Sequence, residues 1–423
     1  MSRPLQEGSY YEAAMAAAPA HPALDGPSDC DVCVVGAGIA GCAAALHLSE
    51  RGYRVIVLEA VRVGHGARVG ELIRDDARDL DGSSSRIARS DLRRLWQLRI
   101  EAVATAMALM TEHHIACDFA GGQLLAALKP RHYRQLRAFK RELEEACGYP
   151  HLLFIEKDYL DEFVHTSRYT AGLYDARGGH VHPLKYALGL AAAAQNSGVR
   201  FFEASPVLHV DTNTSISVRT PRGTIHCRHV LLCGAENVGG FAHDPSPKSL
   251  PIGIGTTATE PLGEARARDI LPTNAAVTDM SFMRDHFSLS ADWRLLFGGS
   301  IGRLAPTPQQ LAASLRRRML RVFPQLQGVR QEHTWGGAVD LATNCAPRFG
   351  RLHPRVYFAH GCASQGAAMA VLGGQLLAGA VAGTAGRFDF LAKLPHRDLP
   401  GGKLLRGPLH ALAVAYYRLR DWL

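Results

Sequence analysis

The chain has 423 residues, 47% hydrophobic and 20% charged, with a net charge of +8 at pH 7. That length excludes one small domain and predicts two domains, or one large domain with an inserted lobe around a sizeable core. The positive charge is scattered; its tightest run, Arg316-Arg317-Arg318 in "LAASLRRRMLRVFPQL", reads as the solvated face of an amphipathic helix ending near Pro324, which argues against a nucleic-acid surface.

The first residues, "MSRPLQEGSYYEAAMAAAPAHPALDG", are interrupted by Glu12, Pro19, His21 and Pro22 and contain no clean apolar stretch, so they read as an arm and not a signal peptide. "DCDVCVVG" (Asp29 to Gly36) is a short apolar strand, "GIAGCAAALHLSERG" a helix ending at Gly52, and "YRVIVLEA" (Tyr53 to Ala60) a second strand. Together they form a βαβ unit, which implies a parallel sheet. "DLRRLWQLRIEAVATAMALMTEHH" and "PRHYRQLRAFKRELEEACG" have helical apolar spacing. From Val207, "VLHVDTNTSISVRTPRGTIHCRHVLLCGA" reads as three strands with a turn at Pro221-Arg222-Gly223. "HFSLSADWRLLFGGS" is a hairpin with Ala291-Asp292 near its tip, and "RVYFAHG" (Arg355 to Gly361) a late strand. Gly361 to Gly386 carries no formal charge and is long enough to span a bilayer, but its Gly/Ala content favours a buried helix.

Nine cysteines occur without framework spacing. Cys30 and Cys33 form a lone C-x-x-C on a predicted strand, which fits buried reduced thiols of a cytoplasmic protein better than a zinc site, and no metal is expected.

Gly36-Ala37-Gly38-Ile39-Ala40-Gly41 is G-x-G-x-x-G between a strand and a helix, and Glu59 closes the next strand. Gly36 makes the tight turn, Gly38 admits a pyrophosphate against the backbone, Gly41 lets helix pack on strand, and Glu59 can accept hydrogen bonds from ribose hydroxyls. The helix N-terminus adds free N–H groups and partial positive charge. The motif alone does not choose between FAD and NAD. Its position near the N-terminus and the distant segment "YFAHGCASQGAAMAVLGGQLLAG" favour FAD, whose flavin end needs a second contact region.

These motifs, with "SYYEAA", "RVIVLEAVRVGHGA", "RDLDG", "LYDARGGHVHPLKYALGLA", "TATEPLG", "LSADWRLLFGGS", "WGGAVDLATNCAPRFGRL" and the tail "LPGGKLLRGPLHALAVAYYRLRDWL", resemble the amine-oxidising flavoproteins of the D-amino-acid oxidase superfamily. Within it, the resemblance runs to the gamma-glutamylputrescine oxidoreductases. It implies FAD, oxidation of a carbon–nitrogen bond to an imine, and reoxidation of the flavin by oxygen. It also implies that Gly36 to Gly41, Glu59 and Ala60 hold the ADP half, with Arg62, Gly66, Ala67, Arg68 and Val69 along the pyrophosphate and flavin edge. Val207 would meet the adenine side through its backbone, Gly234 would close over the cofactor, and Gly361, Ser364, Gln365, Gly366 and Ala367 would border the isoalloxazine.

The chain departs from the family in places. The loop after Ala67 is about three residues shorter than the family's G-A-S-G-R-N-G-G-Q and brings in Glu71. Gln365 stands for a histidine, Ala342 for a threonine, Cys345 for an arginine, and His286 where an aromatic is common. Glutamine can hydrogen-bond but cannot titrate near neutrality.

Hydride transfer to a flavin asks little of side chains, so no triad is expected. The catalytic candidates are His286, Gln365 and Trp335. His286 could deprotonate an ammonium substrate or be a satisfied histidine of the lobe's sheet; Trp335 could wall the pocket or pack a sheet edge. His182, before Pro183 at a strand-to-helix turn, reads as structural.

The expected fold is α/β (α+β overall): a Rossmann-like FAD-binding domain with an inserted substrate lobe on an antiparallel or mixed sheet. Its expected division is an arm over 1–27, the FAD domain over 28–90, 165–242 and 331–395, the lobe over 91–164 and 243–330, and a C-terminal tail over 396–423. The expected function is FAD-dependent oxidation of an amine or amino-acid-like substrate, with a small-molecule amine and oxygen as partners, no nucleic acid and no membrane association. The alternative is a divergent paralogue of impaired catalysis serving as a flavin-binding or scaffold protein.

Overall fold

The computed structural model describes residues 8–15, 20–67, 88–212, 215–233, 249–281, 283–301, 306–342, 346–362 and 366–396. The arm contributes a short helix, α1 (Tyr10–Ala13), capped by the Ser9 hydroxyl, and a strand, β1 (Gly26–Asp29). The βαβ unit follows as β2 (Val32–Val35), α2 (Ile39–Ser49) and β3 (Val55–Leu58). Next come α3 (Arg89–Glu112), β4 (Ala120–Ala127), α4 (Pro130–Cys147), β5 (Leu152–Glu156) and β6 (Ala171–His180). α5 (Pro183–Asn196) and β7 (Arg200–Phe202) precede β8 (His209–Asp211), β9 (Ile216–Arg219), β10 (Gly223–Cys227) and β11 (His229–Leu232). After them come β12 (Ser249–Thr259), α6 (Glu264–Ile270), β13 (Ala276–Asp279), β14 (Asp285–Leu289), β15 (Leu295–Ile301) and α7 (Pro308–Val322). The last are β16 (Gln331–Ala342), β17 (Arg348–His353), β18 (Val356–His360), α8 (Ala367–Val381) and α9 (Gly386–Ala392).

A six-stranded sheet runs β17-β18-β11-β2-β3-β7, parallel except for β17. Its central strands are apolar at nearly every position because both faces are covered. One face carries α2, α3, α5 and α8 in a single core; the other meets the four-stranded sheet β1-β10-β9-β8. The crossing of α2 and α8 is close: a Cβ on Gly374 would lie 2.4 Å from the Ala40 carbonyl oxygen. From Ala367 to Ala380, α8 is buried except at Gln375. Among the described residues no single helix is long and apolar enough to cross a membrane; α8 with α9, bent by 115°, passes by length and composition only.

An eight-stranded mixed sheet runs β16-β12-β15-β14-β13-β4-β6-β5. On one face Val277, Phe287, Phe297 and Leu289 pack with Met319 and Val322 of α7. Arg318 closes that side: its Nε donates to Asp285 Oδ1 (2.6 Å), and its terminal nitrogens donate to the carbonyls of Ser300, Met283 and Arg284. Arg316 donates to the carbonyls of Val329 and Gln327, and Arg317 alone of the run is exposed. The expectation of a solvated arginine face is therefore corrected. Leu315 and Met319 set the buried stripe of α7, and Arg318, three residues after the first, falls at its edge. Asp279 ends β13 wholly buried. Its Oδ1 accepts from Ser281 N–H (3.0 Å), Ser281 Oγ (2.6 Å) and Asp285 N–H (3.0 Å), while Oδ2 meets no donor among the described residues.

The strands fall differently from the expected segments. β6, inside the expected 165–242, and β16, at the head of 331–395, belong to the eight-stranded sheet, while α3, inside 91–164 but for its first two residues, packs in the core with α2 and α8. The chain changes layer within continuous structure: β6 passes to α5 through Val181 and His182 alone, so no loop marks the crossing. The expected three strands after Val207 are four, because β10 and β11 lie in different sheets with only Arg228 between them.

Candidate functional site

Gly36 leaves β2 at φ +100° and its N–H donates to the Leu58 carbonyl (2.8 Å), joining the ends of β2 and β3. A Cβ on Gly41 would lie 1.9 Å from the Gly36 carbonyl oxygen, so only glycine allows α2 to start this close to the turn. At Gly38, the N-cap of α2, a Cβ would meet nothing within 4 Å, and the same is true of Gly66. Space therefore lies beside the N–H groups of Ile39, Ala40 and Gly41, in the first turn of α2, where an anion is favoured.

Glu59 follows β3. Its Oε2 accepts from Ala37 N–H (2.8 Å) and its Oε1 from Val61 N–H (3.0 Å), which fixes the carboxylate at the rim of that space. Ala60 and Arg62 are exposed. The loop then turns back: Gly64 N–H donates to the Ala37 carbonyl (2.9 Å) and Val63 N–H to Glu203 Oε1 (2.8 Å). Glu203 is buried and also accepts from His21 N–H (3.1 Å), so one carboxylate ties the arm to the loop. Nothing in the sequence singled it out. Val207 is buried between the six- and four-stranded sheets.

Gly361 leaves β18 at φ +69°, and Gly366, at φ +106°, leads into α8 at Ala367. Arg68, Val69, Gly234, Ser364 and Gln365, together with Cys345, lie outside the described residues. The groups that are described suit FAD: an open first turn for its diphosphate, a fixed carboxylate for its ribose, and a glycine turn into a second helix for its flavin end.

Two of the catalytic candidates, His286 and Trp335, lie in one row across the eight-stranded sheet. Registers place Thr278 beside His286, His286 beside Gly298, Gly298 beside Thr256, and Thr256 beside Trp335. Residues opposed in this way share a face. A Cβ on Gly298 would lie 2.4 Å from His286 Nε2 and 2.8 Å from Thr256 Oγ1, so the imidazole and hydroxyl converge over the glycine. His286 and Thr256 are half-buried. Trp335 is 3% exposed and packs edge-on against Tyr11, with ring centres 5.3 Å apart, beside Ala258 and Leu296.

The arm covers that end of the row. Tyr10 Oη donates to Asp292 Oδ1 (2.6 Å) at the β14–β15 hairpin, and Tyr11 lies edge-on to His182, 4.9 Å away. Burial, then the bond to Asp292, pushes the Tyr10 phenol well above its usual range. His182 is the N-cap of α5, its Nδ1 accepting from Lys185 N–H (3.2 Å), as its structural reading implied. Burial, then the nearby Lys185 charge, lowers its pKa to about 4, so it is neutral at pH 7. All eight described cysteines are free.

Comparison with known proteins adds to this geometry. The family profile described as "DAO: FAD dependent oxidoreductase" matches residues 31–380. The chain is 35% identical to the gamma-glutamylputrescine oxidoreductase of Escherichia coli (strain K12), over 98% of each protein. Its fold is similar to L-proline dehydrogenase from P. horikoshii, with a TM-score of 0.71 and 20% identity over 87% of this chain and 96% of that one. It is likewise similar to glycine oxidase from Geobacillus kaustophilus, with a TM-score of 0.71 and 19% identity over 87% of this chain and all of that one.

Proposed function

The chain belongs to the FAD dependent oxidoreductase family, and from that premise we propose that it oxidises the carbon–nitrogen bond of an amine or amino-acid-like substrate to an imine. The observation that carries this reading is the end-to-end match, over 98% of each protein, to a gamma-glutamylputrescine oxidoreductase. When bound, FAD would supply the two-electron acceptor for the carbon–nitrogen oxidation, with oxygen as the final acceptor and hydrogen peroxide as its product.

The chain's own residues do the rest. The first turn of α2, opened by Gly38, holds the diphosphate, and the Glu59 carboxylate accepts from the ribose. The substrate nitrogen must lose its proton before the carbon–hydrogen bond breaks, and the group assigned to receive it is His286, on the sheet face beside Thr256. Gly298 keeps the space between those two side chains clear. We place the protein in the cytoplasm, a reading supported by the free cysteines and tested by cell fractionation.

The protein should purify yellow and release FAD on denaturation. Anaerobic mixing with a panel of primary and secondary amines and amino acids should bleach the flavin absorbance with at least one of them, and admitting air should yield one peroxide per imine. Failure of every compound to bleach a fully loaded protein refutes C–N oxidation; bleaching without peroxide refutes oxygen as acceptor. His286→Ala should lower kcat/KM most near neutral pH, where an imidazole is free to take the proton of an ammonium substrate; the deficit should shrink at acidic pH, where an imidazole is already protonated, and at alkaline pH, where the amine arrives neutral.

A further inference from the structure

At the far end of α2 from the cofactor cradle, the helix's C-cap Glu50 meets the C-terminus of α3, which ends at Glu112 and is capped by His113. One ligand atom from each of Glu50, Glu112 and His113 lies within 4.8 Å of the other two. We propose that this junction binds a divalent cation of the zinc class, with His113, Glu112 and Glu50 as its protein ligands.

The spacing fits such an ion. His113 Nε2 stands 3.3 Å from Glu50 Oε1. Two ligands each ~2.0–2.1 Å from a tetrahedral zinc are themselves ~3.3 Å apart, so that pair already spans one edge of the coordination shell. The other oxygen of Glu50, Oε2, lies 3.4 Å from Nδ1 of His47, one turn earlier on α2 and 8% exposed. A carboxylate that faces the ion with one oxygen and a buried imidazole with the other is placed as an outer-shell contact would place it.

The electrostatics point the same way. Two carboxylates converge where two helices end, and the last carbonyls of each helix add partial negative charge. The nearby Arg51 guanidinium donates to the His47 carbonyl (2.5 Å), and its charge also acts on Glu50, so a bound cation would have to outcompete it. One imidazole nitrogen among the oxygens favours zinc over magnesium or calcium, which prefer oxygen ligands alone. Bound there, the ion would staple α2, whose opposite end forms the diphosphate turn, to α3. It takes no part in the oxidation, and the proposal does not rest on the amine reading.

The test uses tag-free, FAD-loaded protein stripped with EDTA and desalted, then titrated calorimetrically with Zn2+ in the presence of excess Mg2+. The expected result is one Zn2+ per chain and a higher melting temperature. Glu112→Gln and His113→Ala should each weaken binding by more than the roughly 10–100-fold that losing an outer-shell partner costs, and remove the thermal shift. Glu112 is exposed, so its amide variant reads ligation and not folding. Absence of Zn2+ binding by the wild type, or retention of wild-type affinity by either variant, overturns the proposal.

Discussion

Asp279→Asn isolates the cost of one buried charge. Burial, then the charge of Asp285, raises the Asp279 carboxyl from 3.8 to about 6. The folded protein thus keeps a proton that the unfolded chain has already released, so stability falls as pH rises from 3.8 to about 6 and the full penalty is present above that. The whole penalty is about 3 kcal/mol, of which about 1.4 kcal/mol accrues between pH 5 and pH 8. Asparagine keeps the Oδ1 that accepts from Ser281 and Asp285 and places an amide where Oδ2 meets no donor among the described residues. The cost of that unpaired amide does not vary with pH, so the informative quantity is the change with pH and not the absolute stability. A chain of this length has an unfolding entropy of roughly 0.9 kcal/mol/K, so the melting temperature of Asp279→Asn relative to wild type should be about 1.5 °C more favourable at pH 8 than at pH 5. Differential scanning fluorimetry of both proteins at both pH values measures it. An equal difference at the two pH values would refute the reasoning, because Asp279 would then be ionised throughout.

Gly41→Ala puts a Cβ 1.9 Å from the Gly36 carbonyl oxygen; the turn must open, and the purified variant should lose most of its FAD absorbance after gel filtration while its melting temperature falls. Arg318→Met leaves Asp285, with its side chain 7% exposed, without its cation; the loss should be about 3–5 kcal/mol, read as a lowered urea midpoint. Tyr10→Phe removes the bond to Asp292 and should cost about 1 kcal/mol, with faster proteolytic trimming of the arm as the local readout.

The cofactor half was legible because its chemistry is short-range. A strand, three glycines and an acid at the next strand end sit within a few dozen residues, and each glycine shows its reason in the fold. The hairpin tip at Ala291-Asp292 was equally plain, since both its strands lie on either side of it. What failed was long-range. Arg318 reads as one of three surface arginines until β14 supplies Asp285. The change of layer between β6 and α5 has no loop to mark it, because Gly178-Gly179 lie inside the strand and only Val181 and His182 separate it from the helix. His113 and Glu50 lie far apart in sequence, so no metal-ligand spacing announces their junction, and Glu203 acquires its role only when His21 and Val63 arrive from separate segments.

The passage from β6 to α5 without an intervening loop has a consequence for how such a protein can be taken apart. A single covalent run belongs to the eight-stranded sheet at one end and to the helical layer of the six-stranded sheet at the other, and the chain crosses between the same layers from α3 to β4 through residues 113–119. Neither half is a cassette. Grafting the eight-stranded sheet of a relative onto this scaffold would need a cut at Val181-His182, with a strand ending on one side and a helix beginning on the other, so point changes within the sheet disturb the chain less than exchange of a lobe.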